Sequence, residues 1–226
     1  MAKPSPTCSL CGAPVRPAFR LPRPEMAPDL DLRPGEPARS TLTHWVQNCY
    51  CGASAPDVTR LPAAAGEALQ SAAYAALRAP GPAGPFLRWA HIATHLGQTA
   101  DAAEATLQAA WALDDLGPAR AADAASHRLE AVRLAGDAAS LEAALRQIDI
   151  LRRAGAFPRA EAAARALEGL DEGAAAIREF QLGRIAARDT GRHGFDSVLR
   201  PPSRRPHVSH GPAAGKPGFW RRILGG

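Results

Sequence analysis

Apolar side chains recur at helical spacing through most of the chain beyond residue 60. The clearest case is the segment 138–154, where Leu141, Leu145, Ile148 and Leu151 follow one another at intervals of four, three and three residues. Such intervals place side chains on one face of an α-helix, because the helix completes a turn in about 3.6 residues. The pattern therefore predicts an amphipathic helix with a single buried stripe.

Glycine and proline divide the remainder of this region into further helical segments. The predicted helices occupy residues 62–79, 84–96, 100–115, 118–135, 138–154, 157–169 and 172–189. Their connections are short, which makes neighbouring helices antiparallel. Alanine dominates the apolar residues and has the highest helix propensity. The sequence thus predicts a mainly α fold over residues 62–190, built from antiparallel helical hairpins.

Two of the connections resemble the turn between the helices of a tetratricopeptide repeat. In each, a glycine ends one helix and an alanine five residues later lies where the helices cross: Gly97 with Ala102, and Gly155 with Ala160. The two glycines are 58 residues apart, which is not a multiple of the repeat length of about 34. We therefore expect an irregular tetratricopeptide-like superhelix, in which each hairpin buries its apolar stripe against the next.

The first 60 residues follow another pattern. Seven prolines lie between Cys11 and Cys49, and large apolar residues are few, so this segment is not expected to bury a core of its own. The stretch 41–47 is rich in β-branched and aromatic residues and predicts a strand that leads to Cys49, with a partner near 15–21. We expect a small module of loops and short strands over residues 5–58.

All four cysteines of the chain lie in this module, as the pairs Cys8 with Cys11 and Cys49 with Cys51. Two close pairs of thiolates are typical of a structural Zn²⁺ site, in which four ligands surround the ion tetrahedrally. A glycine follows each pair and permits the positive φ that a metal-binding turn requires at this point. The pattern predicts a zinc-ribbon-like site with all four cysteines as ligands.

Several alternatives remain open for the cysteines. The second pair is C-x-C, one residue shorter than usual, so it can have lost its metal, or His44 can replace one ligand. Disulfides need an oxidising compartment, and residues 1–7 contain no apolar signal region, so we expect a cytoplasmic location. A thiol-redox role for Cys8 and Cys11 is less favoured, because the thioredoxin-like βαβ pattern is missing.

Charge is distributed unevenly along the chain. Six of the 27 basic residues lie after Ser197, which leaves 21 basic and 22 acidic residues elsewhere. We expect residues 192–226 to be a disordered basic tail, whose Phe219-Trp220-Arg221-Arg222 segment either docks on an acidic partner or membrane surface or is simply solvated. The body is near neutrality, so nucleic acid is not the expected partner. No apolar run is long enough for a transmembrane span.

Other residue pairs with possible chemistry have structural interpretations. His91 and His95 share a helix face, but the glutamate of a metalloprotease motif is missing, and Asp114-Asp115 has no accompanying phosphate loop. Arg33 and Arg39 lie in a loop rich in glycine and proline, where we expect them to hold a carboxylate from the helical body.

The N-terminal region resembles a family of bacterial proteins known as domain of unknown function 2225. The resemblance covers about residues 5–190 and is carried by Cys8-x-x-Cys11, Arg33-Pro34-Gly35-Glu36, Ala38-Arg39-Ser40-Thr41, Trp45-Val46-Gln47-Asn48-Cys49, Cys51-Gly52 and Ala55-Pro56-Asp57. It implies a zinc-ribbon-type cysteine module joined to tetratricopeptide-like helices, with metal ligation by the four cysteines. It implies no catalytic residue.

Together these features favour a non-enzymatic interaction or scaffold protein. A structural zinc site would fold residues 5–58 against the helical stack, whose groove would bind a protein or peptide. The rival hypotheses are a nucleic-acid-binding zinc ribbon and a thiol-redox protein that uses the paired cysteines.

Overall fold

The computed structural model describes residues 5–199 and is mainly helical, as the periodicity predicts. The longer helices are α3 (Gly84–His95), α4 (Thr99–Asp114), α5 (Ala121–Ala135), α6 (Leu141–Arg153), α7 (Phe157–Arg165) and α8 (Glu172–Ala186). Each packs against the next in the chain, and α6 also packs against α8. Phe86, Trp111 and Ile148 are among the most deeply buried side chains, and Ile148 lies on the stripe predicted for residues 138–154.

The two glycine turns have the predicted form. Gly97 and Gly155 have φ values of 71° and 73°, which are favourable for glycine alone among common residues. Ala102 and Ala160, the small residues five positions later, are both fully buried.

The helix predicted over residues 62–79 is instead two short helices, α1 (Ala65–Ala68) and α2 (Ala72–Ala76). Ser71 separates them, because its hydroxyl donates to the Ala68 carbonyl and accepts from the Tyr74 N–H. A serine that makes these bonds caps a new helix rather than continuing the old one.

The strand predicted over residues 41–47 is also wrong for most of its length. Residues Arg39–His44 form a 3₁₀-helix, and the only strands among the described residues are β1 (Gln47–Asn48) and β2 (Ser54–Ala55), which pair antiparallel. The expected partner over residues 15–21 forms no ladder; it contacts β1 through the Gln47 side chain, whose Nε2 donates to the Arg16 carbonyl at 2.6 Å.

The buried apolar residues form two clusters. The larger cluster lies among α3–α8 and includes Leu30, Leu42 and Val46 from the N-terminal segment. The smaller cluster surrounds the cysteines and includes Val58, Tyr74 and Ile92. The proline-rich segment therefore does contribute to a core, which it shares with the helices.

The chain beyond α8 returns to the N-terminal segment. Phe195 is buried in the larger cluster, its N–H donates to the Pro28 carbonyl at 3.0 Å, and Gly194 forms an isolated β-bridge with Asp29. The expectations for residues 200–226, including the Phe219-Trp220-Arg221-Arg222 segment, lie outside the described residues. No helix in the described range combines the length and apolarity needed to cross a bilayer.

Candidate metal centre

The two cysteine pairs form turns with the same hydrogen-bond pattern. In the first turn the Cys8 N–H donates to the Ala13 carbonyl at 2.8 Å and the Gly12 N–H donates to the Cys8 carbonyl at 2.9 Å. In the second turn the Cys49 N–H donates to the Ala53 carbonyl at 2.9 Å, and the Gly52 N–H donates to the Cys49 carbonyl at 2.9 Å. The second turn is therefore one residue shorter, but the same two kinds of backbone hydrogen bond close it.

The glycine after each pair adopts the predicted positive φ. The φ of Gly12 is 72° and that of Gly52 is 97°. Around Gly52 space is limited as well, because a Cβ there would lie 3.0 Å from a guanidinium nitrogen of Arg78. The second turn thus needs glycine for its backbone, since the flexible Arg78 side chain could move to make room for a Cβ.

The four cysteine sulfurs converge on one point. All lie within 4.8 Å of one another, with Cys11 Sγ 3.5 Å from Cys49 Sγ and Cys8 Sγ 3.9 Å from Cys51 Sγ. A tetrahedral Zn²⁺ with bonds of about 2.3 Å requires sulfur separations of about 3.8 Å. The arrangement can hold a metal ion, and both close contacts join one pair of cysteines to the other.

Backbone N–H groups point at three of the sulfurs. The Ala13, Cys51 and Ala53 N–H groups donate to the sulfurs of Cys11, Cys49 and Cys51. The Ala13 hydrogen bond lowers the pKa of the Cys11 thiol, whereas burial raises the pKa of the Cys49 thiol and raises that of Cys51 to about 12. A bound cation reverses the effect of burial, since a coordinating thiol is deprotonated.

Surrounding side chains hold the two turns in place. The Tyr74 hydroxyl, on α2, donates to the Gly52 carbonyl at 2.6 Å, and the Ser9 hydroxyl donates to the Leu61 carbonyl at 2.7 Å. Gln47 Oε1 accepts from the Val58 N–H at 2.8 Å. These bonds connect the cysteine turns to one another and to α2. Sequence reasoning missed them, since none of these residue types signals a metal site by itself.

The histidines considered from the sequence lie outside this cluster. Among the described residues, the four cysteines are the only group of potential ligands that is close enough to share an ion. The His44 ring instead packs edge-on against Phe19, with 5.5 Å between ring centroids. His91 is hydrogen-bonded to Ser71 at 3.1 Å, and His95 lies 3.6 Å from a carboxylate oxygen of Glu67.

A buried network of charged residues joins the N-terminal segment to the helices. Asp31 is fully buried; its carboxylate accepts hydrogen bonds from Trp111 Nε1 at 2.8 Å and from the Arg153 guanidinium. Burial alone would raise the pKa of the Asp31 carboxyl, but Arg153 and Arg128 outweigh it and hold the pKa below its usual value. The tight turn that presents Asp31 places Leu32 at φ 64°.

The two arginines of the N-terminal loop differ in their partners. Arg33 Nη2 lies 2.6 Å from an Asp115 oxygen at the end of α4, so its predicted contact with the helical body is confirmed. The same prediction is wrong for Arg39, whose Nη2 lies 2.7 Å from Asp29 in its own loop. Asp114 pairs with Arg128 and with Arg153 at 2.6 Å. The Asp114-Asp115 pair is therefore occupied by guanidinium groups.

No family model, curated protein or solved structure matches this chain.

Proposed function

We propose that the chain is a non-enzymatic cytoplasmic scaffold, in which a structural zinc site fastens the cysteine module to a tetratricopeptide-like helical groove that binds a protein or peptide. One observation carries the proposal, the convergence of four cysteine sulfurs within 4.8 Å. The resemblance to domain of unknown function 2225 leads to the same assignment and is proposed with it.

The choice of zinc follows from the donor set. Four thiolates select a soft or borderline cation, and tetrahedral sites with four sulfur donors are typical of zinc or iron. Four cysteine ligands would leave no open coordination position for water or a substrate, and such a fully ligated site is structural rather than catalytic. Redox use of Cys8 with Cys11 is less well supported, because the shortest sulfur contacts join Cys11 to Cys49 and Cys8 to Cys51.

Measuring the metal content tests the proposed zinc site. Native mass spectrometry should find one zinc per chain, and Co²⁺ substitution should give the absorption of a tetrahedral thiolate centre. Cys49→Ser and Cys51→Ser should each lose zinc, while His44→Ala should retain it, because His44 lies outside the sulfur cluster. A chain that purifies without metal and with oxidised cysteines would instead support the thiol-redox hypothesis.

The groove lies between α4, α5 and α6 and has a volume of about 230 Å³. Its floor is made of small and aliphatic side chains, including Ala103, Leu107 and Val132. An ion pair of 2.7 Å between Arg146 and Glu104 lies at its edge. A shallow apolar trough with a polar rim suits the apolar face of a peptide helix, whose side chains would enter between the helices.

A matched pair of substitutions tests the groove. Ala100 lines it and Ala122 does not, although each is the second residue of its helix and each is exposed. Ala100→Glu should abolish capture of the partner in pull-down, whereas Ala122→Glu should leave it intact, in chains with and without residues 200–226. Equal capture by both variants would exclude this groove, and loss of capture on removing the tail alone would move the binding site to the tail.

A further inference from the structure

A second groove lies beside the cysteine turns, between residues 14–19 and residues 43–50, and has a volume of about 480 Å³. One wall is the extended proline-rich segment, and the other is the 3₁₀-helix end, β1 and the second cysteine turn. The Gln47 side chain bridges the two walls at the Arg16 carbonyl. The volume is in the range of sites that hold an organic ligand of moderate size.

Aromatic rings flank this groove and face solvent. Tyr50, between two cysteines, is 99% exposed, and Phe19 on the opposite wall is 38% exposed. Four of the five large apolar side chains that are exposed in the described range lie in the cysteine module: Phe19, Leu21, Met26 and Tyr50. Of these four, Phe19 and Tyr50 line the groove, and exposed apolar side chains around one concave surface indicate a binding site rather than a solvated face.

The charge of this surface differs from that of the whole body. The body is near neutrality because its 21 basic residues nearly equal its 22 acidic residues in number, and some of these charges form buried pairs, such as Asp31 with Arg153. Arg16 and Arg20 lie on the exposed segment, and no carboxylate in residues 5–199 pairs with either. The groove lining contains Arg16 and His44 and has no acidic residue.

A further cation lies behind the opposite wall. Arg88, on α3, donates to the side-chain oxygens of Asn48 at 2.7 Å and Ser54 at 2.9 Å, and to the Leu77 carbonyl at 3.1 Å. All three acceptors are neutral. Arg88 is not part of the groove lining, but it fixes the side chain of Asn48, which is. The groove therefore has Arg16 on one wall, beside the exposed rings of Phe19 and Tyr50.

We propose that this groove binds single-stranded nucleic acid, with bases stacked on Tyr50 and Phe19 and phosphates held near Arg16. Exposed rings beside unpaired cations are the combination that such strands use, because every base has a π-face and every linkage carries a charge. An acidic peptide would use the cations and leave the rings without a role. The near-neutral net charge of the body, which argued against nucleic acid, does not describe this groove, whose lining contains Arg16 and no acidic residue.

Binding of a fluorescein-labelled oligouridine to the full-length, zinc-loaded chain tests the proposal by fluorescence anisotropy. Tyr50→Ser and Phe19→Ala should each weaken affinity about tenfold, the effect of losing one stacked base. Leu116→Ala is the matched control, because Leu116 is 51% exposed on another part of the surface. Arg16→Ala should reduce the slope of log affinity against log salt by about 0.7, which corresponds to one phosphate contact. Unchanged zinc content and melting temperature would show that each variant is folded.

The basic tail can bind nucleic acid independently, so the contact must also be located. Ultraviolet crosslinking of the oligouridine, followed by peptide mass spectrometry, should place uridine on peptides that contain Phe19 or Tyr50. Crosslinks confined to residues 200–226, or affinities that Tyr50→Ser and Phe19→Ala leave unchanged, would overturn the proposal. So would equal binding of labelled oligoglutamate, since the groove would then select charge without regard to the bases.

Discussion

Replacing Asp31 with asparagine should test whether the buried charge network fastens the N-terminal segment to the helices. Asp31 has no exposed surface, and its side chain accepts hydrogen bonds from Trp111 Nε1, from Arg153 and from the Arg33 N–H. Asparagine has nearly the same shape, so it creates no cavity. It removes the negative charge and turns one acceptor into a donor.

The magnitude follows from what the substitution leaves behind. The amide oxygen can still accept from either Trp111 or the Arg33 N–H, while the NH₂ group must face another donor. Arg153 keeps its ion pair with Asp114 at 2.6 Å but loses the negative charge of the fully buried Asp31. Removing one partner of a buried ion pair costs about 3–5 kcal/mol. Because Asp114 remains, we expect the lower end, a loss of about 3 kcal/mol in the free energy of unfolding.

Urea unfolding followed by circular dichroism and tryptophan fluorescence measures this loss. The tryptophan signal is informative because Trp111 bonds directly to Asp31. Asp137→Asn is the control, since it makes the same chemical change at an exposed turn and should alter stability by less than about 0.5 kcal/mol. A loss for Asp31→Asn no larger than that of the control would show that the network does not stabilise the fold.

A double-mutant cycle with Arg153→Met separates the pair from its surroundings. If Asp31 and Arg153 act on each other, the double variant should be more stable than the sum of the two single losses predicts, by about 1–3 kcal/mol. Strict additivity would mean that the two side chains stabilise the fold independently, and the docking argument would fail even if each single loss were large.

Three further predictions concern the buried charge network around Asp31 and the second cysteine turn. Neighbouring guanidinium groups hold the pKa of Asp31 low despite its burial, so ionised Asp31 adds to the free energy of unfolding above the unfolded-state pKa of about 3.9. This contribution is lost as pH falls through the folded-state pKa. The difference in free energy of unfolding between wild type and Asp31→Asn should therefore shrink at about pH 3, and a constant difference would refute this. Gly52→Ala should lower the free energy of unfolding by about 1–2 kcal/mol because of its positive φ. Gly66→Ala, within α1 and with open space around it, should instead raise it by about 0.5–1 kcal/mol. Tyr74→Phe removes the hydroxyl that donates to the Gly52 carbonyl and should speed zinc transfer to a chelator, with the stability change limited to about 0.5–1.5 kcal/mol; an unchanged transfer rate would count against a role for Tyr74 in holding the second turn.

The helices could be predicted because their information is local. The spacing of apolar residues and the position of glycine and proline determine where α3–α8 begin and end, to within a few residues. The cysteine cluster was also predictable, because four cysteines in two pairs, each followed by glycine, leave few arrangements for the chain. The structure adds that the shortened second pair still places its sulfurs with the others.

The 3₁₀-helix at residues 39–44 was missed because side-chain bonds compete with the propensity of the backbone. Thr41 Oγ1 donates to the Ala38 carbonyl at 2.7 Å, and Ser40 Oγ donates to the Pro37 carbonyl at 3.0 Å. The Glu36 carboxylate accepts from the Ser40 N–H at 3.1 Å. β-Branched residues favour strands when averaged over proteins, but these bonds stabilise a turn at this position.

The charge network could not be predicted for a different reason. Asp31 and Arg153 are separated by 122 residues, and both resemble ordinary surface residues in the sequence. Even the correct prediction for Arg33 rested on the character of its loop and named no partner. Ion pairs between distant residues depend on the tertiary fold, which periodicity does not specify.

The two clusters of buried residues show why the N-terminal segment is more than a separate metal-bound cap. Residues near the cysteines pack in the smaller cluster with Ile92, whereas Leu30 and Leu42 pack in the larger one with Phe86. Ile92 and Phe86 both belong to α3, and Trp89 between them contacts both clusters. Because the same helix borders both clusters, α3 contacts the N-terminal segment at two separate places, one near the cysteines and one near Leu30 and Leu42. The groove beside Tyr50 lies at the cysteine end of that arrangement, because Cys49 lines the groove and also belongs to the smaller cluster.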